Sequence, residues 1–105
     1  MKKIWTGLLI GLTLLAGCAT VGREFPAPLV QNIRIGETER EDIRRMFGEP
    51  WRTGIEDGKP TWTYAHYHYS IFRPERARDL LIRFDEEGKV SSYSFKTTYP
   101  EDRRD

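Results

Sequence analysis

The chain has 105 residues, with 17 basic and 16 acidic side chains and a net charge of +1 at pH 7. This near-balance argues against a nucleic-acid-binding protein, which needs a clustered basic face. A single cysteine excludes an internal disulfide framework. The length predicts one small domain whose core comes from its apolar side chains alone.

The N-terminal segment has the pattern of a bacterial lipoprotein signal peptide. Two lysines precede an apolar stretch from Ile4 to Ala16, and its thirteen residues are fewer than the roughly 20 that cross a bilayer. Leu15-Ala16-Gly17-Cys18 then places small residues directly before the cysteine. We therefore predict that residues 1–17 are removed and that Cys18 carries covalent lipid. The alternative is an ordinary secretory signal beside a coincidental cysteine, but such signals favour an Ala-x-Ala end.

The two ends of the mature chain are predicted to be irregular. Residues 18–28 contain Gly22, Pro26 and Pro28 with little periodicity, which indicates a tether between the lipid and the domain. Residues 98–105 are predicted to form a charged, frayed tail. The domain itself is therefore expected to span residues 29–97.

The first half of this domain carries helical signals. Leu29, Val30 and Ile33 lie at helical spacing and predict a short first helix. A second helix is predicted from Thr38, which can cap its start in a capping box with Glu41. Gly48 and a following proline end that helix.

The second half has the alternation of β-strands. Strands are predicted at Trp51–Ile55, Thr61–Tyr69, Asp79–Asp85 and Lys89–Thr97, with a hairpin turn at Asp57-Gly58 and an exposed loop at Ser70–Arg78. The predicted fold is α+β: two short N-terminal helices packed on one face of a three- to four-stranded antiparallel meander, as a two-layer sandwich.

A sheet covered by helices on one side leaves its other face to solvent. On the second predicted strand Tyr67 and Tyr69 lie opposite to Trp62 and Tyr64, and Leu81 lies on the same outer side. These three residues are candidates for a partner-binding patch. The alternative is a β-bulge near Ala65 that returns both tyrosines to the core. Trp51 and Phe72, beside or in loops, are further partner-binding candidates.

Metal and catalytic chemistry find little support in the sequence. His66 and His68 share one strand face and are weak candidate metal ligands. A zinc site needs at least three protein ligands. Asp79 or Asp85 on the neighbouring predicted strand is the candidate for a third, but neither is an obvious ligand, so no metal is predicted. The serines lie in or beside strands without an evident base. We predict a chain that is not an enzyme and has no cofactor apart from the lipid on Cys18.

Short motifs in this order resemble the SmpA/OmlA (BamE-like) domain family of small outer-membrane lipoproteins. They are Ile33-Arg34-Ile35-Gly36-x-Thr38, Phe47-Gly48-x-Pro50, Trp62-x-Tyr64 and Phe84-Asp85-x-x-Gly88-x-Val90. The resemblance implies a non-catalytic, periplasm-facing outer-membrane lipoprotein. It implies a scaffold or accessory role in outer-membrane β-barrel protein assembly and envelope integrity, with assembly proteins as partners and no nucleic acid. Ala19, in place of an inner-membrane-retaining aspartate, also favours the outer membrane.

One departure from the family keeps a second function open. The best known member carries a Gln-Gly-Asn stretch between its lipidated cysteine and its first helix, and residues 18–30 contain no such stretch. The alternative is a free-standing periplasmic protein- or ligand-binding lipoprotein that is not part of the assembly machine.

Overall fold

The computed structural model describes residues 18–102, so the predicted signal peptide and the last three residues lie outside the described part. The elements are β1 (Cys18–Gly22), a first 3-10 helix (Ala27–Asn32), α1 (Arg40–Phe47), β2 (Arg52–Glu56), β3 (Lys59–Ser70), β4 (Arg73–Phe84), β5 (Val90–Thr97) and a second 3-10 helix (Pro100–Asp102). None of the helices in this described range is long and apolar enough to cross a membrane.

The five strands form one antiparallel sheet in the order β1-β3-β4-β5. The long strand β3 pairs with β4 along one edge and with two short strands along the other. On that second edge, β2 pairs with residues 59–63 and β1 with residues 66–70. The two short strands thus lie end to end and satisfy most of the backbone groups of an otherwise open edge.

The predicted fold class, two helices on a three- to four-stranded meander, is wrong. The structure is mostly antiparallel sheet with five strands, and α1 is its one α-helix within residues 18–102. The predicted first helix is only a six-residue 3-10 helix, and Ile33 after it is extended. So short a segment gains too few hydrogen bonds to propagate an α-helix.

Two segments predicted to be irregular are strands. Residues 18–22, predicted as part of the tether, form β1 because the second half of β3 leaves backbone groups for it to pair with. Most of the predicted loop at Ser70–Arg78 is the first half of β4. The hairpin continues because β3 is long enough to pair with it, with a β-bulge near the turn.

The helices and one face of the sheet enclose the core. Ile43 of α1 is fully buried, and Phe47 packs on Tyr64 of β3 with ring centroids 5.4 Å apart. Phe25, which the sequence did not single out, contacts both of these rings. The complete cluster is Phe25, Val30, Ile33, Ile43, Phe47, Trp62, Tyr64, Leu80, Ile82, Phe84 and Val90.

Two local signals have different outcomes. The Asp57-Gly58 turn is confirmed, since both residues have the positive φ, 53° and 77°, that a tight hairpin turn requires. The capping box is displaced by one residue from the prediction, to Glu39 and Asp42. Thr38 instead accepts a hydrogen bond from the Arg34 backbone N–H at 2.8 Å, which fixes the loop before α1.

Candidate protein-binding face

The side of the sheet that faces away from α1 is here called the open face. Strand alternation sends Trp62 and Tyr64 toward the core and the intervening residues outward. Residues paired across neighbouring strands lie on the same side of the sheet, so the pairing assigns the residues of the other strands to one side or the other. The open face comprises Ala19, Val21, Arg52, Gly54, Glu56, Lys59, Thr61, Thr63, Ala65, Tyr67, Tyr69, Ala77, Asp79, Leu81, Arg83, Ser92, Ser94 and Lys96.

Tyr67 and Tyr69 form a stacked pair on this face. Their ring centroids are 6.3 Å apart and their planes differ by 13°. The β3–β4 register is continuous from Thr61 to His68, so no bulge near Ala65 returns the tyrosines to the core. Tyr69 is 42% exposed. The pair therefore presents aromatic surface to solvent.

A hydrogen bond holds one ring of the pair in place. The Tyr67 hydroxyl donates to the Asp79 carboxylate at 2.6 Å. This hydrogen bond, with some desolvation, raises the pKa of Tyr67 from 10.0 to about 12, so the phenol remains a donor into more alkaline solution than an ordinary tyrosine. A ring held by its neighbour and by its hydroxyl loses little further freedom when it contacts a partner.

The structure adds Val21, which the sequence did not indicate, to the surface formed by the tyrosine pair. Val21 of β1 lies opposite Tyr67, and Ala19 lies opposite Tyr69. Val21 is 39% exposed and extends the apolar surface past the edge of β3. The sequence could not place it there, because the segment was predicted as a tether.

The remaining predicted partner-binding residues do not join the tyrosine pair. Leu81 is on the open face but half-buried, and the row containing Asp79 separates it from Tyr67. Trp51 is half-buried just before β2, with the Arg52 guanidinium 4.6 Å from its ring centroid. Phe72 is 86% exposed at the tip of the β3–β4 hairpin.

His66 and His68 lie on the helix side of the sheet, beyond the core. They pair across the strands with Arg78 and Arg76, whose positive charges disfavour a cation. His68 Nδ1 is 3.1 Å from the Thr20 hydroxyl, and His66 Nδ1 is buried without a hydrogen-bond partner. Across residues 18–102 no three His, Cys, Asp or Glu side chains form a group suited to a metal.

A charged cleft lies beside α1 on the helix side of the sheet. Arg44 crosses it, with its guanidinium 5.0 Å from the Trp62 ring centroid and ion pairs to Glu41 and Glu49. The cleft is lined by Glu39, Arg40, Glu41, Arg44, Trp62, Glu87 and Gly88. Within the lining, Glu41 and Arg44 form an ion pair, and Glu87 pairs with Lys89 outside it. Exposed ion pairs of this kind are ordinary features of a solvated surface.

No protein-family model matches the sequence, and comparison with curated proteins gives no significant match. The resemblance to the SmpA/OmlA (BamE-like) family therefore rests on the short motifs given above.

Proposed function

We propose that this chain is a non-catalytic outer-membrane lipoprotein that binds a protein partner through its open face. Lipid on Cys18 would hold the domain at the periplasmic side of the membrane. By the family resemblance, its role is that of a scaffold or accessory protein in outer-membrane β-barrel assembly and envelope integrity.

The stacked pair of Tyr67 and Tyr69 is the observation that carries this proposal. Tyrosine is enriched where proteins bind one another, because its ring gives contact area and its hydroxyl tolerates water. Val21 widens this apolar surface, while Ser92, Ser94 and other polar residues cover the far side of the face. Apolar and aromatic surface bordered by polar residues is common where proteins bind one another.

The binding proposal is tested by replacing both tyrosines. We expect assembly-machine subunits to co-purify with the tagged, lipidated protein from membranes, and the Tyr67→Ser/Tyr69→Ser variant to lose them. If the pair is a binding hot spot, its truncation should cost about 2 kcal/mol or more, which is a fall in affinity of about thirtyfold. Quantitative mass spectrometry of the captured proteins measures the loss.

A matched control separates this effect from a general loss of apolar surface. Ile55 is 79% exposed on β2, away from the tyrosine pair, so Ile55→Ser should leave capture unchanged. Circular dichroism should show that both variants keep the fold. Recovery of no assembly subunit, together with normal outer-membrane protein levels in a deletion strain, contradicts the assembly role. Tyrosine-dependent capture of an unrelated periplasmic protein would favour the free-standing alternative.

A further inference from the structure

The β3–β4 hairpin ends in two exposed apolar residues. Ser70 pairs with Arg73, which leaves Ile71 and Phe72 as the turn. Their exposed fractions are 75% and 86%, among the highest of the large apolar side chains in the described chain. We call Ile71 and Phe72 the hairpin tip.

The conformation of the turn does not explain these residue types. Exposed turns favour Gly, Asn, Asp, Pro and Ser. The chain uses Asp57-Gly58 at its other tight hairpin, where the positive φ values require it. Neither tip residue contributes to the core cluster. Two large apolar side chains at the tip are therefore left to contact something outside the domain.

The position of β1 identifies what lies beside the tip. Cys18 is paired with Ser70, the residue directly before the turn. Paired residues of antiparallel strands have Cα atoms roughly 5 Å apart. Because β1 runs antiparallel to β3, it begins at the tip and continues away from it. A lipid on Cys18 would thus leave the domain next to Ile71 and Phe72.

We infer that the hairpin tip inserts into the bilayer that holds the Cys18 lipid, so that the domain has a second, orienting membrane contact. This inference rests on the proposed lipid anchor. The occupant of the tip is a phospholipid surface, recognised through its apolar region. Tyr69, on β3 just before the turn, lies where tyrosine is favoured at the boundary between lipid and water.

The contact gives the anchor a function that lipid alone does not supply. A single attachment point leaves a domain free to rotate about it. Insertion of Ile71 and Phe72 beside the attachment point would hold β3 and β4 upright on the membrane. The open face, with Tyr67 near the membrane end, would then face sideways into the periplasm rather than toward the lipid.

Site-specific fluorescence on the full, lipidated protein tests the inference. The only cysteine of the chain is blocked when it carries lipid, so Phe72→Cys supplies one reactive thiol for an environment-sensitive fluorophore. The protein is reconstituted in neutral phosphatidylcholine vesicles, in which basic residues gain no attraction to the headgroups. Spin-labelled phosphatidylcholine should quench most of the fluorescence at residue 72 and shift its emission to shorter wavelength.

Ile55→Cys is the matched control, because Ile55 is equally exposed but pairs with Pro60 at the opposite end of β3. Its label should be neither quenched nor shifted. Equal quenching at both positions, or none at residue 72, overturns the inference. A label at residue 72 that responds only when a protein partner is added also overturns it.

The lipid anchor is tested separately in the protein that lacks the Phe72→Cys substitution. If Cys18 reacts with the fluorophore there, or mass spectrometry finds no lipid, the proposed anchor fails. The tip is then tested in a Cys18→Ser background with the same vesicles. Quenching at residue 72 in that background supports tip insertion without lipidation, and its absence overturns the tip inference as well.

Discussion

Gly22 is the last residue of β1, where the chain leaves the sheet. Its φ of +83° is a conformation that other residues rarely adopt, and a Cβ built on it would lie 2.1 Å from the Ala65 carbonyl oxygen. The same oxygen accepts a hydrogen bond from the Arg23 N–H at 2.9 Å. The close approach of the two backbones turns the chain toward the core, where Phe25 is buried.

Gly22→Ala should therefore destabilise the domain by about 3 kcal/mol, from the strained φ and the backbone clash together. Urea unfolding followed by circular dichroism measures the change. Gly36→Ala is the matched control, since Gly36 has a φ of +82° but no atom within 4 Å of the added Cβ. The free energy of unfolding of Gly36→Ala should fall by only about 1 kcal/mol. Equal losses in the two variants would contradict the proposed clash.

Asp102 holds the C-terminal segment to the sheet. Its carboxylate accepts two hydrogen bonds from the Arg78 guanidinium, at 2.5 and 2.9 Å, and one from the Thr97 hydroxyl at 2.7 Å. Its side chain is only 6% exposed. Burial disfavours the charged form, but these hydrogen bonds and the arginine charge outweigh it and lower the pKa of Asp102. A segment predicted to be frayed is thus fixed through this residue.

Because the pKa of Asp102 is lower in the folded chain than its ordinary value of 3.8, its ionised form stabilises the fold. This contribution is complete above pH 3.8 and is lost as the pH falls through the lower, folded value. Asp102→Asn should lose about 1–3 kcal/mol near neutral pH, and the difference from wild type should shrink in acid. Thermal melting of both proteins from neutral to acidic pH measures this difference in stability.

Glu101→Gln is the control for that pH series. Glu101 is 61% exposed and lies 3.8 Å from Arg76, so its removal should change the stability by less than about 0.5 kcal/mol. A pH-independent difference between wild type and Asp102→Asn would contradict the role assigned to the Asp102 charge.

At the scale of elements, one hydrogen bond joins the end of α1 to the sheet. The Tyr64 hydroxyl of β3 donates to the Gly48 carbonyl at 2.7 Å, directly after the last residue of the helix. The ring of Tyr64 packs beneath Phe47 in the same region. Burial, with the nearby Glu49 carboxylate, raises the pKa of Tyr64 well above its ordinary value, so the hydroxyl remains a donor.

Tyr64→Phe removes this hydrogen bond and keeps the ring, so it should destabilise the domain by about 1 kcal/mol. Chemical denaturation measures the loss. Tyr67→Phe removes the more exposed bond to Asp79 and should cost less, since water can replace it. No loss of stability in Tyr64→Phe would show that α1 does not depend on this hydrogen bond to β3.

The elements that the sequence predicted correctly are those with strong local signals. The helix that ends near Gly48 and the turn at Asp57-Gly58 both follow from residues within a few positions of one another. β1 and the first half of β4 do not, because their pairing depends on the length of β3. Strand pairing between residues 18 and 70 is a long-range contact that no local pattern reports.

At the scale of the whole molecule, the candidate surface was only partly predictable. Alternation along β3 placed Tyr67 and Tyr69 on one face, but could not exclude a bulge. The contribution of Val21, and the separation of Leu81 from the tyrosine pair, required the register of three strands. Single-strand periodicity assigns residues to a face, whereas their proximity on that face comes from the sheet.

The pairing of β1 also determines how the domain would respond to mechanical force. A pull on Cys18, directed past the hairpin tip, acts along the axis of β1 and therefore slides this strand against β3. All five residue pairs between the two strands would then bear the load together. A pull directed across the strands, away from the sheet edge, would instead open the pairs one after another from Cys18. An attachment that lies past the hairpin tip thus loads this short strand along its stronger direction.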